Sequence, residues 1–149
     1  MSAAPATRRL YLAEPRALWL QRSPVVADCS VLAALIFEEP AGDEAAAMLL
    51  DRALHAPTLL PYELASVATK KQRAGAEQGW VNAALQAYTE QRIDLHPVPP
   101  EAAARLAARY ALSAYDAAYL WLAAELKAPL ATFDRKLAEA AQRHLAAPD

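Results

Sequence analysis

The sequence predicts an α/β sandwich built on a mostly parallel central sheet. Two observations carry this. Short apolar runs alternate along the chain with longer helical patterns, which is how strands joined by crossover helices read. Apolar residues make up 56% of the chain and only three glycines are present, the composition of a compact, helix-rich protein rather than a disordered one. The 149 residues suit a single domain with a real core.

The elements follow in order. Residues 1–23 look like an extension: Arg8, Arg9, Arg16 and Arg22 against Glu14 make it locally basic, and Tyr11, Leu18, Trp19 and Leu20 give it apolar surface. From residue 24 the domain proper begins. PVVADCS is a short apolar run ending in polar residues, as a buried strand does. VLAALIFEE and GDEAAAMLLDRAL have helical patterns, separated by the break at Pro40–Gly42. HAPTLL is the expected second strand. PYELASVATKKQRAG opens on proline and closes on Gly75, the asymmetry of helix ends. EQGWVNAALQAYTEQ is helical, and RIDLHPV is a short strand stopped by Pro97, Pro99 and Pro100. EAAARLAARYAL is helical, as are residues 114–127; LATF is a strand and RKLAEAAQRHL the last helix.

Charge and cysteine content exclude several classes. The formal charge of −2 gives no global basic field, so contact with nucleic acid requires a local patch. Cys29 is the only cysteine, which rules out an internal disulfide or a cysteine zinc site, and it reads as a small core residue. His55, His96 and His144 share no spacing that suggests a site. No apolar run approaches the roughly 20 residues of a membrane span. Glu14, Pro15 and Arg16 interrupt what would be a signal core, so the cytoplasm is the expected location.

The informative residues are acids. Ser113-Ala-Tyr-Asp116 reads as a capping box, and Asp134 as the N-cap of the last helix, roles each worth about 0.5–2 kcal/mol. Acids begin most of the helical segments (Asp43, Glu63, Glu77, Glu101, Asp116, Asp134), and the helix dipole alone favours that. Position discriminates better. In parallel sheets ligands bind beyond the carboxyl ends of strands. Asp28 ends the first strand, Asp134 follows the last, Glu63 opens the helix after the second, and Asp116 opens the helix feeding the last. These four can meet at one edge of the sheet. Carboxylates brought together repel unless protonated or neutralised by a cation. Hard oxygen donors without histidine or thiol select Mg²⁺ or Mn²⁺, and such an ion activates water and stabilises charge on a phosphate. An all-carboxylate cluster thus points to phosphodiester hydrolysis.

VVADCSVLAAL around Asp28, LLPYELASV around Glu63, LSAYDAAYLWLAAELKAPLATFD around Asp116 and Asp134, and the following RKLAEAA resemble PIN-domain proteins, specifically the VapC-type ribonuclease toxins of bacterial toxin–antitoxin pairs. The likeness spans about residues 24–145. It implies a PIN-like three-layer α/β/α sandwich with four or five strands, in which Asp28, Glu63, Asp116 and Asp134 bind Mg²⁺ or Mn²⁺ and carry out catalysis. Ser30 and Thr132 match the hydroxyls that orient them. The family further implies a structured RNA substrate such as transfer or ribosomal RNA, a VapB-type antitoxin whose tail covers the acids, and a homodimer. Lys70, Lys71 and Arg73 follow Glu63 on one helix and are candidates to contact RNA. Many relatives add a final short strand where this chain has HLAAPD.

Two rival enzyme classes fit worse. A haloacid-dehalogenase-like phosphatase needs a second aspartate where Ser30 stands, and a receiver domain needs a paired-acid cluster and a late lysine without a match here. A non-catalytic PIN module that binds RNA or protein would be expected to lose acids, and all four positions are acidic.

Overall fold

The computed structural model describes residues 22–146. The extension expected over 1–23 therefore lies outside the described residues except at its end, where Ser23 already opens the first strand. The elements run β1 (Ser23–Ala27), α1 (Cys29–Ile36), α2 (Gly42–Leu49), β2 (Arg52–Pro57), α3 (Leu60–Arg73), α4 (Gln78–Glu90), β3 (Ile93–His96), α5 (Pro100–Tyr110), α6 (Ala114–Leu126), β4 (Leu130–Ala131) and α7 (Arg135–Leu145).

The four strands form one sheet in the order β3-β2-β1-β4, and every pairing is parallel. The chain steps outward from β1 through β2 to β3, then returns to β4 on the far side of β1. Right-handed crossovers in opposite directions put their helices on opposite faces. α1 packs with α2, α3 and α4, whereas α6 lies along β1, β2 and β4 with α5 and α7 beside it. The result is the expected three-layer sandwich. Val25, Val26, Leu32, Leu60, Leu64, Val81, Tyr119 and Leu122 fill its main core. A smaller cluster of Leu120, Leu137, Ala140 and Ala141 joins α6 to α7. α6 is apolar nearly all round, and a helix of that kind belongs in the interior; six of its residues are buried.

Several boundaries differ from the sequence reading. The helix expected over 42–54 ends at Leu49, and its last residues, Arg52, Ala53 and Leu54, form the start of β2. Pairing of Ser23–Val26 with Arg52–His55 overrides the helix propensity of these residues. Asp51, with φ of 58°, turns the chain between the two. The strand expected over 55–60 accordingly stops at Pro57, and Leu60 already belongs to α3. LATF shrinks to Leu130–Ala131, because Thr132 leaves the ladder to bond Asp28. Cys29 is the first residue of α1 rather than part of a strand. The last helix, 135–145, is as expected. Among the described residues there is no fifth strand; residues 147–149 lie outside them.

Glycine scarcity shows at the helix ends. α5 and α6 close on Ala111 and Lys127 in the left-handed region, at φ of 54° and 50°, where glycine is the usual choice. Gly42 is used differently: a Cβ there would stand 2.8 Å from the Ala34 carbonyl oxygen, so glycine lets α2 start hard against α1. Gly42→Ala is expected to destabilise the fold by about 1–3 kcal/mol through this clash, read as a lower urea midpoint with an unchanged transition slope.

Candidate functional site

The strand order reverses between β1 and β4, and in parallel α/β sheets the crevice at such a switch point, beyond the carboxyl ends of the strands, is where ligands bind. Asp28 follows β1 there and Thr132, Phe133 and Asp134 follow β4. The two chain ends are clasped together. The Asp28 amide donates to the Ala131 carbonyl at 3.1 Å. Asp28 Oδ1 accepts from the Ser30 hydroxyl at 2.6 Å and from the Val31 amide at 3.2 Å, and Oδ2 accepts from the Thr132 hydroxyl at 2.5 Å. Ser30 Oγ accepts in turn from the Phe133 amide, and Thr132 Oγ1 from the Asp134 amide. Asp28 is 5% exposed, the one buried charged side chain among the described residues.

The other acids arrive from helix starts. Asp134 caps α7, accepting from the Leu137 amide at 2.8 Å, just as Asp28 caps α1. Ser113 caps α6 by accepting from the Asp116 amide at 3.1 Å, which fixes the turn carrying the Asp116 carboxylate. Glu63 stands in the first turn of α3 and accepts from the Tyr119 hydroxyl at 2.6 Å. Tyr119 is 1% exposed, so this bond ties Glu63 to the centre of α6.

The four carboxylates feel one another. Burial raises the pKa of Asp28 above the carboxylate norm, and repulsion by Asp134 adds to it against the bonds from Ser30, Thr132 and Val31. Burial likewise raises Glu63, with Asp116 and Asp28 adding repulsion that the Tyr119 bond partly offsets. Asp116 is raised by burial, then by Asp134 and Asp28, while Ser113 and Lys136 ease it. Among the described residues none of the four joins a salt bridge. Cys29, beside them, has its thiol pushed up to about 12, by burial first and then by Glu63 and Asp28, and so stays protonated.

This donor set of carboxylates and hydroxyls fits a hard divalent cation. Among the described residues no three acidic, histidine or cysteine side chains form a ready-made metal cage. Mg²⁺ does not require one, since it ordinarily keeps several waters and shares its shell with substrate phosphate.

The candidate RNA-contacting cations part company. Lys70 lines a pocket with Glu63. Lys71 pairs with Glu39 at 3.1 Å and lies over the rings of Phe37 and Trp80, and Arg73 is exposed at the end of α3. Three residues near the acids were not singled out from the sequence: Tyr119, Lys136 and the exposed Tyr62. The i, i+4 spacing of Tyr115 and Tyr119 around Asp116 was the available clue to the first. The histidines also pair unexpectedly. His55 Nδ1 and His96 Nε2 lie 2.9 Å apart, and His144 bonds the Tyr110 hydroxyl at 2.9 Å.

Comparison with known proteins agrees with this architecture. The model of the PIN domain family matches residues 25–143, and the chain belongs to that family. PIN domains are typically nucleases that use divalent metal ions. The crystal structure of PAE2754 from Pyrobaculum aerophilum is similar, with a TM-score of 0.63 and 24% identity over 85% of this chain and 92% of that one, a likeness of fold. No curated protein matches significantly. Among the described residues no helix is long and apolar enough to cross a membrane.

The electrostatics set a stability test. A carboxyl whose pKa is raised by folding favours the fold when protonated; that benefit is full below its ordinary pKa and lost as pH rises through the raised value. Cation-free protein is therefore expected to melt higher as pH falls from neutral through the raised values towards the ordinary carboxylate range. Asp116→Asn should raise the melting temperature at neutral pH, with the difference shrinking on acidification, as followed by thermal denaturation across pH.

Proposed function

We propose that this protein is a divalent-cation-dependent endoribonuclease and the toxin of a VapBC-type toxin–antitoxin pair. One observation carries the reading: four carboxylates gather at the switch-point crevice, repel one another, and form no salt bridge among the described residues. All four acids are retained, which favours catalysis over a purely binding role.

Each side chain has a task. Asp28, Asp116 and Asp134 would hold Mg²⁺ or Mn²⁺, directly or through water. Once bound, such an ion supplies stabilisation of the charge that develops on the scissile phosphate. Ser30, Thr132 and the Val31 amide keep Asp28 in one orientation, so the acid does not reorganise during the reaction. Glu63, whose proton affinity is raised, orients the attacking water and takes its proton. The Tyr119 hydroxyl fixes Glu63 and keeps it from becoming too basic.

Lys136, which eases the charge of Asp116, also lines a cleft with Arg109, Arg143 and Glu139, and its cations would meet an RNA backbone despite the net negative chain. Lys70 does so on the Glu63 side. Transfer or ribosomal RNA loops are the substrates this reading favours. A VapB-type antitoxin would inhibit by setting an arginine or lysine among the acids where the cation binds. The active form is proposed to be a homodimer.

The purified chain should cut RNA from a cellular small-RNA pool with Mn²⁺ or Mg²⁺ and not with EDTA, and Asp116→Asn should lower the rate by ~100-fold; metal-independent cutting, or cutting by the variant at the wild-type rate, would overturn the reading. Tyr119→Phe removes a bond that lowers the Glu63 pKa, so the rise of activity with pH should move to higher pH, as measured by initial rates across pH.

A further inference from the structure

Tyr62 and Tyr115 are 80% and 65% exposed, among the most exposed large apolar side chains of the described residues. They come from distant parts of the chain, the first turns of α3 and α6, and each immediately precedes an acid of the site, Glu63 or Asp116. Both line one pocket of about 470 Å³, together with Leu59, Glu63, Ser66 and Lys70. That volume is in the range of small-molecule sites. Glu63, Ser66 and Lys70 follow at i, i+3 and i+7 on one face of α3, so the pocket runs from the acids to a cation. The fold gains nothing by leaving two aromatic rings in water here.

We propose that this pocket is a nucleobase subsite: an unpaired base next to the scissile phosphate stacks on Tyr62 and Tyr115, Ser66 offers it a hydrogen bond, and Lys70 holds a neighbouring phosphate. The inference rests on the nuclease reading and adds the form of its substrate. A cluster of carboxylates repels a phosphate backbone, whereas a base has an uncharged face that stacks on an aromatic ring without electrostatic cost. In a duplex that face is covered by its neighbours, so the subsite selects single-stranded segments or loops and excludes paired RNA. Stacking tolerates any base, so the pocket by itself fixes strandedness more than sequence.

The test uses the full chain with Mn²⁺ on a short single-stranded RNA, the same RNA annealed to its complement, and copies with one abasic nucleotide scanned across the cut. Tyr62→Ala and Tyr115→Ala should each raise KM for the single strand by roughly 5- to 150-fold, the range of one lost base stack, with an unchanged melting temperature. Tyr→Phe and Tyr→Trp at either position should restore it. An abasic nucleotide at one position beside the cut should raise KM for the wild type but add nothing in the alanine variants. If RNA is cut with the duplex equal to the single strand, or with the double alanine variant equal to the wild type, the subsite is overturned while the nuclease stands. If the wild type cuts no RNA, the nuclease reading falls, and fluorescence anisotropy decides the subsite: a tyrosine-dependent preference for intact over abasic RNA supports it, and none overturns it.

Discussion

The structure turns on the hydrogen-bonded clasp around Asp28. A carboxylate 5% exposed at the end of a buried strand is costly to keep ionised, and it is tolerated here because three donors converge on it. Two of those donors, Ser30 and Val31, come from the first turn of α1, and the third, Thr132, from the residue that follows β4. β4 is only two residues long, too short to be held by its ladder alone. Its place beside β1 depends as much on the side-chain bonds of Thr132 and Ser30 across the crevice as on the sheet. The edge of the sheet and the candidate site are thus one piece of structure.

The same economy governs the helix starts. Asp28 and Asp134 cap α1 and α7, and Ser113 caps the turn that presents Asp116. Capping and ligation are often treated as competing explanations of an acid at a helix start. Here the cap uses one oxygen of Asp134, the one that accepts from Leu137, and leaves its other oxygen without a hydrogen bond from the described residues. The backbone amides fix the carboxylate's direction, and the unused lone pairs then serve whatever the crevice binds. Cap and candidate ligand are two uses of one side chain.

Much of this was legible in the sequence, and the failures have physical causes. Strand and helix alternation gave the sandwich because crossover topology leaves few alternatives. The acids were legible because a parallel sheet forces strand ends to one edge. What misled was local propensity: AAAMLLDRAL is a helix former throughout, yet Arg52–Leu54 pair with β1, a long-range contact invisible to any window of neighbours. LATF looked like a strand because nothing local reveals that Thr132 has a better partner 104 residues away. Lys71 looked like a free cation because its partner Glu39 sits on the loop after α1. The histidines, read as unrelated, meet only because β2 and β3 run in register, with Pro57 beside His96.

The remaining step concerns charge. A chain with net charge −2 and four clustered acids is a poor receptor for a polyanion unless its few cations are well distributed. Two of them are set near the acids: Lys70 shares a pocket with Glu63, and Lys136 eases the charge of Asp116. The acids themselves hold a local negative potential. A phosphate brought towards these carboxylates would be repelled, and would approach closely only with a cation between them. On the nuclease reading, requiring that cation would make the bare protein a weak receptor for RNA at the acids themselves and the same crevice a strong one for a basic side chain. On that reading the crevice would couple polyanion binding to metal binding, and a partner presenting a cationic group would compete for both at once.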